Sequence, residues 1–133
     1  MERVRLETYQ GQRIVVVDGT DAQGDEYVAI LRRGTSFVMG EPYGSVLLAT
    51  VLTRARFGAG AAEHLKAYSK AIRPHVRASA AVGLSPLQRV LFLSIRPFLH
   101  ATVRDFATLA EAREWLVRQA VPPGVPPGVP PSK

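Results

Sequence analysis

His64, His75 and His100 are the three histidines of the chain, and imidazole is the side chain best suited to proton transfer and metal binding near neutral pH. A metal site on a helix needs a second ligand at a spacing such as i, i+4, so that both side chains leave the same face. None of the three has such a partner, so no metal is expected and each histidine reads as an exposed or capping residue. The absence of cysteine removes thiol catalysis, disulfides, zinc–thiolate sites and iron–sulfur clusters together. Asp18 ends an apolar run, where ligand sites of α/β proteins open, but Gly19-Thr-Asp21 follows as a turn that an aspartate would cap. Gly58 and Gly60 lack the Lys-Ser/Thr ending of a phosphate-binding loop. Catalysis would require a cleft gathering Asp18 with a histidine or with Glu63. The sequence assigns no catalytic residue and no cofactor, and a non-enzyme is expected.

One constellation has a physical logic of its own. Arg54 and Arg56 precede Phe57 and the segment Gly58-Ala-Gly60, read as the opening of a helix. Unpaired amides at a helix start attract anions, and a guanidinium fork binds carboxylate or phosphate at two points. A second one lies at residues 87–99, where Leu87, Val90, Leu91, Phe92, Leu93, Ile95, Phe98 and Leu99 point in nearly every direction around a helix axis. A surface helix needs one apolar stripe. The surplus, Phe92 and Leu99 above all, is expected to face a protein partner, a second copy of the chain or an apolar ligand.

Composition bounds what these groups can belong to. Of 133 residues, 47% are hydrophobic and 21% charged, a globular balance, and no run of about 18 uncharged apolar residues could span a membrane. The N-terminus lacks the apolar core of a secretory signal, so a cytoplasmic protein is expected. The net charge is +6, and 14 of the 17 basic residues are arginine. They are scattered singly or in pairs, and none of the ten aromatic residues alternates with them as a base-stacking surface would require, which argues against nucleic acid.

The elements that would position these residues can be read from periodicity. Residues 3–9 alternate, with Val4, Leu6 and Thr8 on one face of a half-buried edge strand. After a turn at Gly11, Ile14–Val17 is continuously apolar, as in a strand covered on both faces, and the short connection makes the two an antiparallel hairpin. Tyr27, Leu31, Gly34 and Val38 stripe a first helix, weakened by Gly34. Residues 45–53 form the most apolar strand, the centre of the sheet. Ala61, Leu65, Tyr68 and Ile72 line a second helix, ended at Pro74. Residues 76–83 make a strand of small residues. Ser85 and Pro86 start a third helix that ends or bends at Pro97, 102–106 is a polar edge strand, and Thr108 with Glu111 caps a last helix. This order implies an α/β domain over residues 1–120: a mostly parallel five-stranded sheet with an N-terminal antiparallel hairpin and about four helices.

This order, with particular phrases, resembles the STAS-like family of anti-sigma-factor antagonists, in the SpoIIAA-like or STAS/CRAL-TRIO-like branch. The phrases are Gly44-Ser-Val-Leu-Leu48, Thr53-Arg-Ala-Arg-Phe57, Arg73-Pro-His-Val-Arg-Ala-Ser-Ala-Ala-Val-Gly83, Leu84-Ser-Pro-Leu-Gln-Arg-Val-Leu91 and Phe106-Ala-Thr-Leu-Ala-Glu-Ala-Arg-Glu-Trp-Leu116, within residues 2–118. The resemblance implies a partner-switching module that binds a kinase-like anti-sigma factor. In the family, a serine or threonine in the loop after the central strand is phosphorylated. The matching stretch here, Arg54-Ala-Arg-Phe-Gly-Ala-Gly60, has no hydroxyl, and Gly58 is the nearest match to the family's small residue. Thr50 and Thr53 are the nearest hydroxyls and read as strand residues. The expected function is therefore a regulatory or scaffolding module without that phosphorylation site, and its rival is a carrier or sensor of a lipid or other apolar anion.

The end of the chain repeats Val-Pro-Pro-Gly and carries six of the ten prolines in residues 121–133. Such a segment has no apolar period with which to bury itself and is expected to be a solvated, disordered, polyproline-like tail. Deleting it should leave the thermal unfolding midpoint nearly unchanged; a drop of several degrees would show that the tail packs on the domain.

Overall fold

The computed structural model describes residues 2–56, 60–96 and 102–120. The first ten residues after Arg3 fold back on themselves because Gln10 and Gly11 both take positive φ, 50° and 78°, which matches a two-residue turn to the twist of the strands. The hairpin consists of β1 (Val4–Tyr9) and β2 (Gln12–Asp18). There follow α1 (Gly24–Met39), β3 (Val46–Val51), α2 (Ala61–Ile72), a 3-10 turn at Arg73–His75, β4 (Val76–Val82), α3 (Pro86–Ile95), β5 (Thr102–Phe106) and α4 (Leu109–Arg118).

The strands lie side by side in chain order, β1-β2-β3-β4-β5, antiparallel only between the first two. β3, with six buried residues, is central as its composition required. Parallel crossovers share one hand, so stepping steadily across the sheet puts their helices on one face. There, Tyr27, Ile30, Leu31 and Val38 of α1 and Leu65, Tyr68 and Ile72 of α2 bury Val15, Val17, Leu48 and Val76. The opposite face, made by Ile14, Val16, Leu47, Ala49, Val51, Ala78, Ala80 and Val82, packs on Ala112, Trp115 and Leu116 of α4. Among the described residues, no helix is long and apolar enough to cross a membrane.

Two local expectations change. Gly34 is less a weak point than a site of close approach: a Cβ there would lie 2.8 Å from Cγ2 of Val17. In β1 the sheltered side is the polar one. Arg5, Glu7 and Tyr9 are partly buried while Leu6 and Thr8 are exposed, because the α1 side shelters only Val4 and α4 reaches the other side through Arg113 and Glu114. Arg5 donates to Glu7 (2.8 Å) and Asp18 (3.2 Å), and Arg113 of α4 donates to Glu7 (2.6 Å). Tyr9 hydrogen-bonds Glu114.

Partial burial alone would raise the Glu7 and Asp18 carboxyls. The hydrogen bonds from Arg5 and Arg113 to Glu7, and from Thr20 and Arg5 to Asp18, outweigh it and hold both below the ordinary carboxylate range. A depressed carboxyl stabilises the fold fully above its unfolded value and stops doing so as pH falls through its folded value. Thermal stability should therefore decline as acid is added below the ordinary carboxylate range, and Glu7→Gln should be less stable at neutral pH with a flatter acid limb. Calorimetry across that range tests this; parallel acid limbs for variant and parent would contradict it.

Candidate functional site

The loop after β3 is shaped by backbone hydrogen bonds to the loop after β2. Gly19 donates to Val51 O (2.7 Å), Asp21 to Thr53 O (3.0 Å) and Arg56 to Ala22 O (2.8 Å). Asp21 and Arg54 both take positive φ, 61° and 54°. They face each other as a two-point pair, Nε to Oδ1 at 2.7 Å and Nη2 to Oδ2 at 3.1 Å. The hydrogen bond from Arg54 is the main reason the Asp21 carboxyl sits below its ordinary range. The fork that the sequence offers as an anion site is thus met, in the structure, by the protein's own Asp21 carboxylate. Arg56 stays exposed, and no described residue pairs with its guanidinium.

The helix start expected at Gly58 lies further on, at Ala61, with exposed Gly60 preceding it in the left-handed region at φ 80°. Phe57 and Gly58 lie outside the described residues, as do Leu99, His100 and the tail. Thr53 is fixed by Gly83 of the next loop. At φ 76°, a Cβ on Gly83 would stand only 2.1 Å from Thr53 Oγ1, so the hydroxyl occupies space that only glycine leaves. Thr50 is buried and lies 3.2 Å from the Tyr68 hydroxyl, which complete burial pushes up to about 12 even against that hydrogen bond.

α3 is tied to this loop by a residue the sequence reading passed over. Gln88 accepts from Ser85 N (2.9 Å) through Oε1, its own amide donates to Ser85 Oγ (3.2 Å), and its Nε2 donates to Ala55 O (2.5 Å). It is one of two buried polar residues in the described protein. The Ser-x-x-Gln spacing at 85–88 is a capping-box signature and was the available signal. Arg89 meets Asp105 of β5 at 3.4 Å on the other side of the helix.

With Gln88 and Phe92 turned inward, Leu87, Val90 and Leu93 point out, at 79%, 65% and 52% exposure. Phe92, at 8%, is thus a core residue of α3 and not its outer face; the helical period puts it on the Gln88 side. Between α3 and the loop lies a groove of about 600 Å³ lined by Ala55, Arg56, Ser85, Leu87, Gln88, Val90, Leu91 and Ser94.

The remaining candidates are not brought together. Asp18 accepts from the Thr20 amide and hydroxyl at 2.9 and 2.6 Å, capping its turn on the α4 side of the sheet, while Glu63 sits on α2 on the other side. His64 is in the first turn of α2, whereas His75 follows its far end, 2.7 Å from Glu41 O through Nδ1 and tilted at 53° against the Tyr43 ring. Among the described residues, no three histidine or carboxylate side chains converge as a metal site. The sequential strand order also provides no switch point, the place where an α/β sheet usually opens a ligand crevice.

These features define an α/β domain with the SpoIIAA-like fold. Among solved structures, a Shewanella loihica PV-4 protein with a SpoIIAA-like fold matches at TM-score 0.65 and 16% identity over 85% of this chain and 91% of that one. An anti-sigma factor antagonist from Mycobacterium paratuberculosis matches at TM-score 0.51 and 17% identity over 86% and 92%. At these identities the likeness is one of fold. No family model matches the sequence, and no curated protein does.

Gln88→Ala should cost about 1–3 kcal/mol, because the carbonyl of Ala55 and the Ser85 amide lose their partners, against about 1 kcal/mol for Ser85→Ala. Denaturant unfolding of the two variants gives the comparison. Amide exchange at Ala55 and Arg56 should quicken in Gln88→Ala, and an unchanged exchange rate would remove Gln88 from its role as the tie.

Proposed function

We propose that the chain is a non-catalytic regulatory or scaffolding module, acting in the cytoplasm, that binds a protein partner through the outer face of α3 and the neighbouring loop. The observation that carries this reading is the exposed row Leu87, Val90 and Leu93 on a helix whose other side is fastened by Gln88. Contiguous apolar side chains on a rigid element, rimmed by a charge, have the make-up of an interaction site. Arg56 at the groove's edge suits a partner that sets a carboxylate beside an apolar patch. The fold shared with an anti-sigma factor antagonist supports a regulatory role of this kind. Phe57 and Gly58 follow Arg56 in the sequence, Gly60 precedes α2, and Leu99 follows α3.

Serine/threonine phosphorylation within residues 54–60 is unavailable, as no hydroxyl is present there, and Thr53 is wedged against Gly83. Engagement then depends on apolar contact and on the charge of Arg56. The groove itself favours the second reading, a carrier of an apolar anion, because an arginine beside leucine and valine side chains suits a lipid-like carboxylate.

The test uses full-length chain recovered from its host, with partners identified by mass spectrometry and bound small molecules sought by native mass spectrometry. A partner retained by the parent should be lost with Leu87→Glu/Val90→Glu and weakened, with reduced salt sensitivity, by Arg56→Ala. Retention by both variants, or phosphate on Thr53, would overturn the proposal. A copurified lipid without a protein partner would establish the carrier instead.

A further inference from the structure

The outer edge of β1 carries a pattern that matches itself. β1 is the first strand of the sheet, paired to β2 in unbroken register from Val4↔Val17 to Tyr9↔Gln12, and none of the described elements lies beyond it. Edge strands are ordinarily guarded by proline, lysine, a bulge or like charges. Val4–Tyr9 contains no proline and no lysine and has no bulge. Its two charges, Arg5 and Glu7, are opposite in sign and flank Leu6, which is 42% exposed.

The carbonyl of Arg3 accepts from the Asp18 amide at 2.6 Å. Main-chain groups alternate in direction along a strand, so the odd residues turn theirs toward β2 and Val4, Leu6 and Thr8 turn theirs to the open edge. We propose that a second copy of this chain pairs antiparallel along that edge about a two-fold axis at Leu6, joining two five-stranded sheets into one of ten. In this register Leu6 faces Leu6 as a hydrogen-bonded pair, Val4 faces Thr8, and Arg5 faces Glu7 of the second copy on the α4 side.

Charge selects the register. A slide of two residues one way sets Arg5 against Arg5, and the other way Glu7 against Glu7; like charges directly opposite are destabilising. The chosen register instead makes a checkerboard in which each charge has opposite-sign neighbours along its own strand and across. Arg5 and Glu7 are already held in place, by each other at 2.8 Å and by Asp18 and Arg113, yet keep 20% and 23% of their side-chain surface open. Little side-chain freedom is lost on pairing. β5 does not share the property, since pairing it about its midpoint sets Arg104 against Arg104.

The chain has no cysteine, so a single introduced thiol reports on the pairing without background. In the full-length protein, light scattering should give twice the 14.5 kDa chain mass at raised concentration, and Leu6→Lys should return it to one chain mass with an unchanged far-ultraviolet spectrum. Under mild oxidation Leu6→Cys should crosslink, because partners across an antiparallel pair lie about 5.5 Å apart at Cα, within disulfide reach. Thr8→Cys should not, as the two-fold places the equivalent positions four residues apart along the strands. A parent that stays monomeric overturns the proposal, whether the edge is bare or the chain beyond Ala120 covers it. So does a Leu6→Lys variant that remains dimeric, or a crosslink at Thr8→Cys without one at Leu6→Cys.

Discussion

The single constraint behind this molecule is the shared hand of its parallel crossovers. With strands laid down in chain order, α1, α2 and α3 have nowhere to go but one face of the sheet, and α4 is left to cover the other. One ten-residue helix cannot shade five strands. It buries the middle of the sheet through Ala112, Trp115 and Leu116, and at the margins polar and aromatic groups take over. At β1 these are the charges that bind Glu7 to Arg113. At β5 they are Arg104 and Phe106, the guanidinium 5.4 Å from the phenyl centroid and 5.9 Å from that of Trp115.

The same constraint decides where a site can form. A sheet that reverses its winding opens a crevice between divergent helices, and this sheet never reverses. The surface we propose for recognition is lateral, along α3 and the loop it is tied to, where Leu87 and Val90 stand beside Arg56. That arrangement suits contact with another macromolecular surface better than enclosure of a substrate.

Much of this was legible in the residues. The unbroken apolar run of 14–17, the stripe Tyr27-Leu31-Gly34-Val38 and the Ser85-Pro86 start each specify their element locally, and the alternation of elements specifies the sheet. What escaped depended on distance. Arg54 finds Asp21 from 33 positions away, so its occupancy cannot be read from neighbours. A period of two says that one face of β1 is apolar but not how far along that face a helix reaches, and so Val4 is covered, Leu6 is exposed and Arg5 is partly sheltered. In α3 the surplus of apolar residues was visible, but its direction was set by Gln88, a polar residue turned inward to meet the Ala55 carbonyl. An apolar count alone pointed to Phe92.

Chain-order pairing also has a temporal side. During synthesis each strand emerges next to the one already formed, so the sheet can grow by local steps as the ribosome advances, with little search. The helix face is completed along the way. The other face is not: Ile14, Val16, Leu47, Ala49 and Val51 wait for Trp115 and Leu116, which follow all five strands in the chain. A nascent chain of this protein thus carries a finished side and a bare one, and the interval before α4 closes is when a chaperone, or another nascent copy, meets the most apolar surface the domain ever presents.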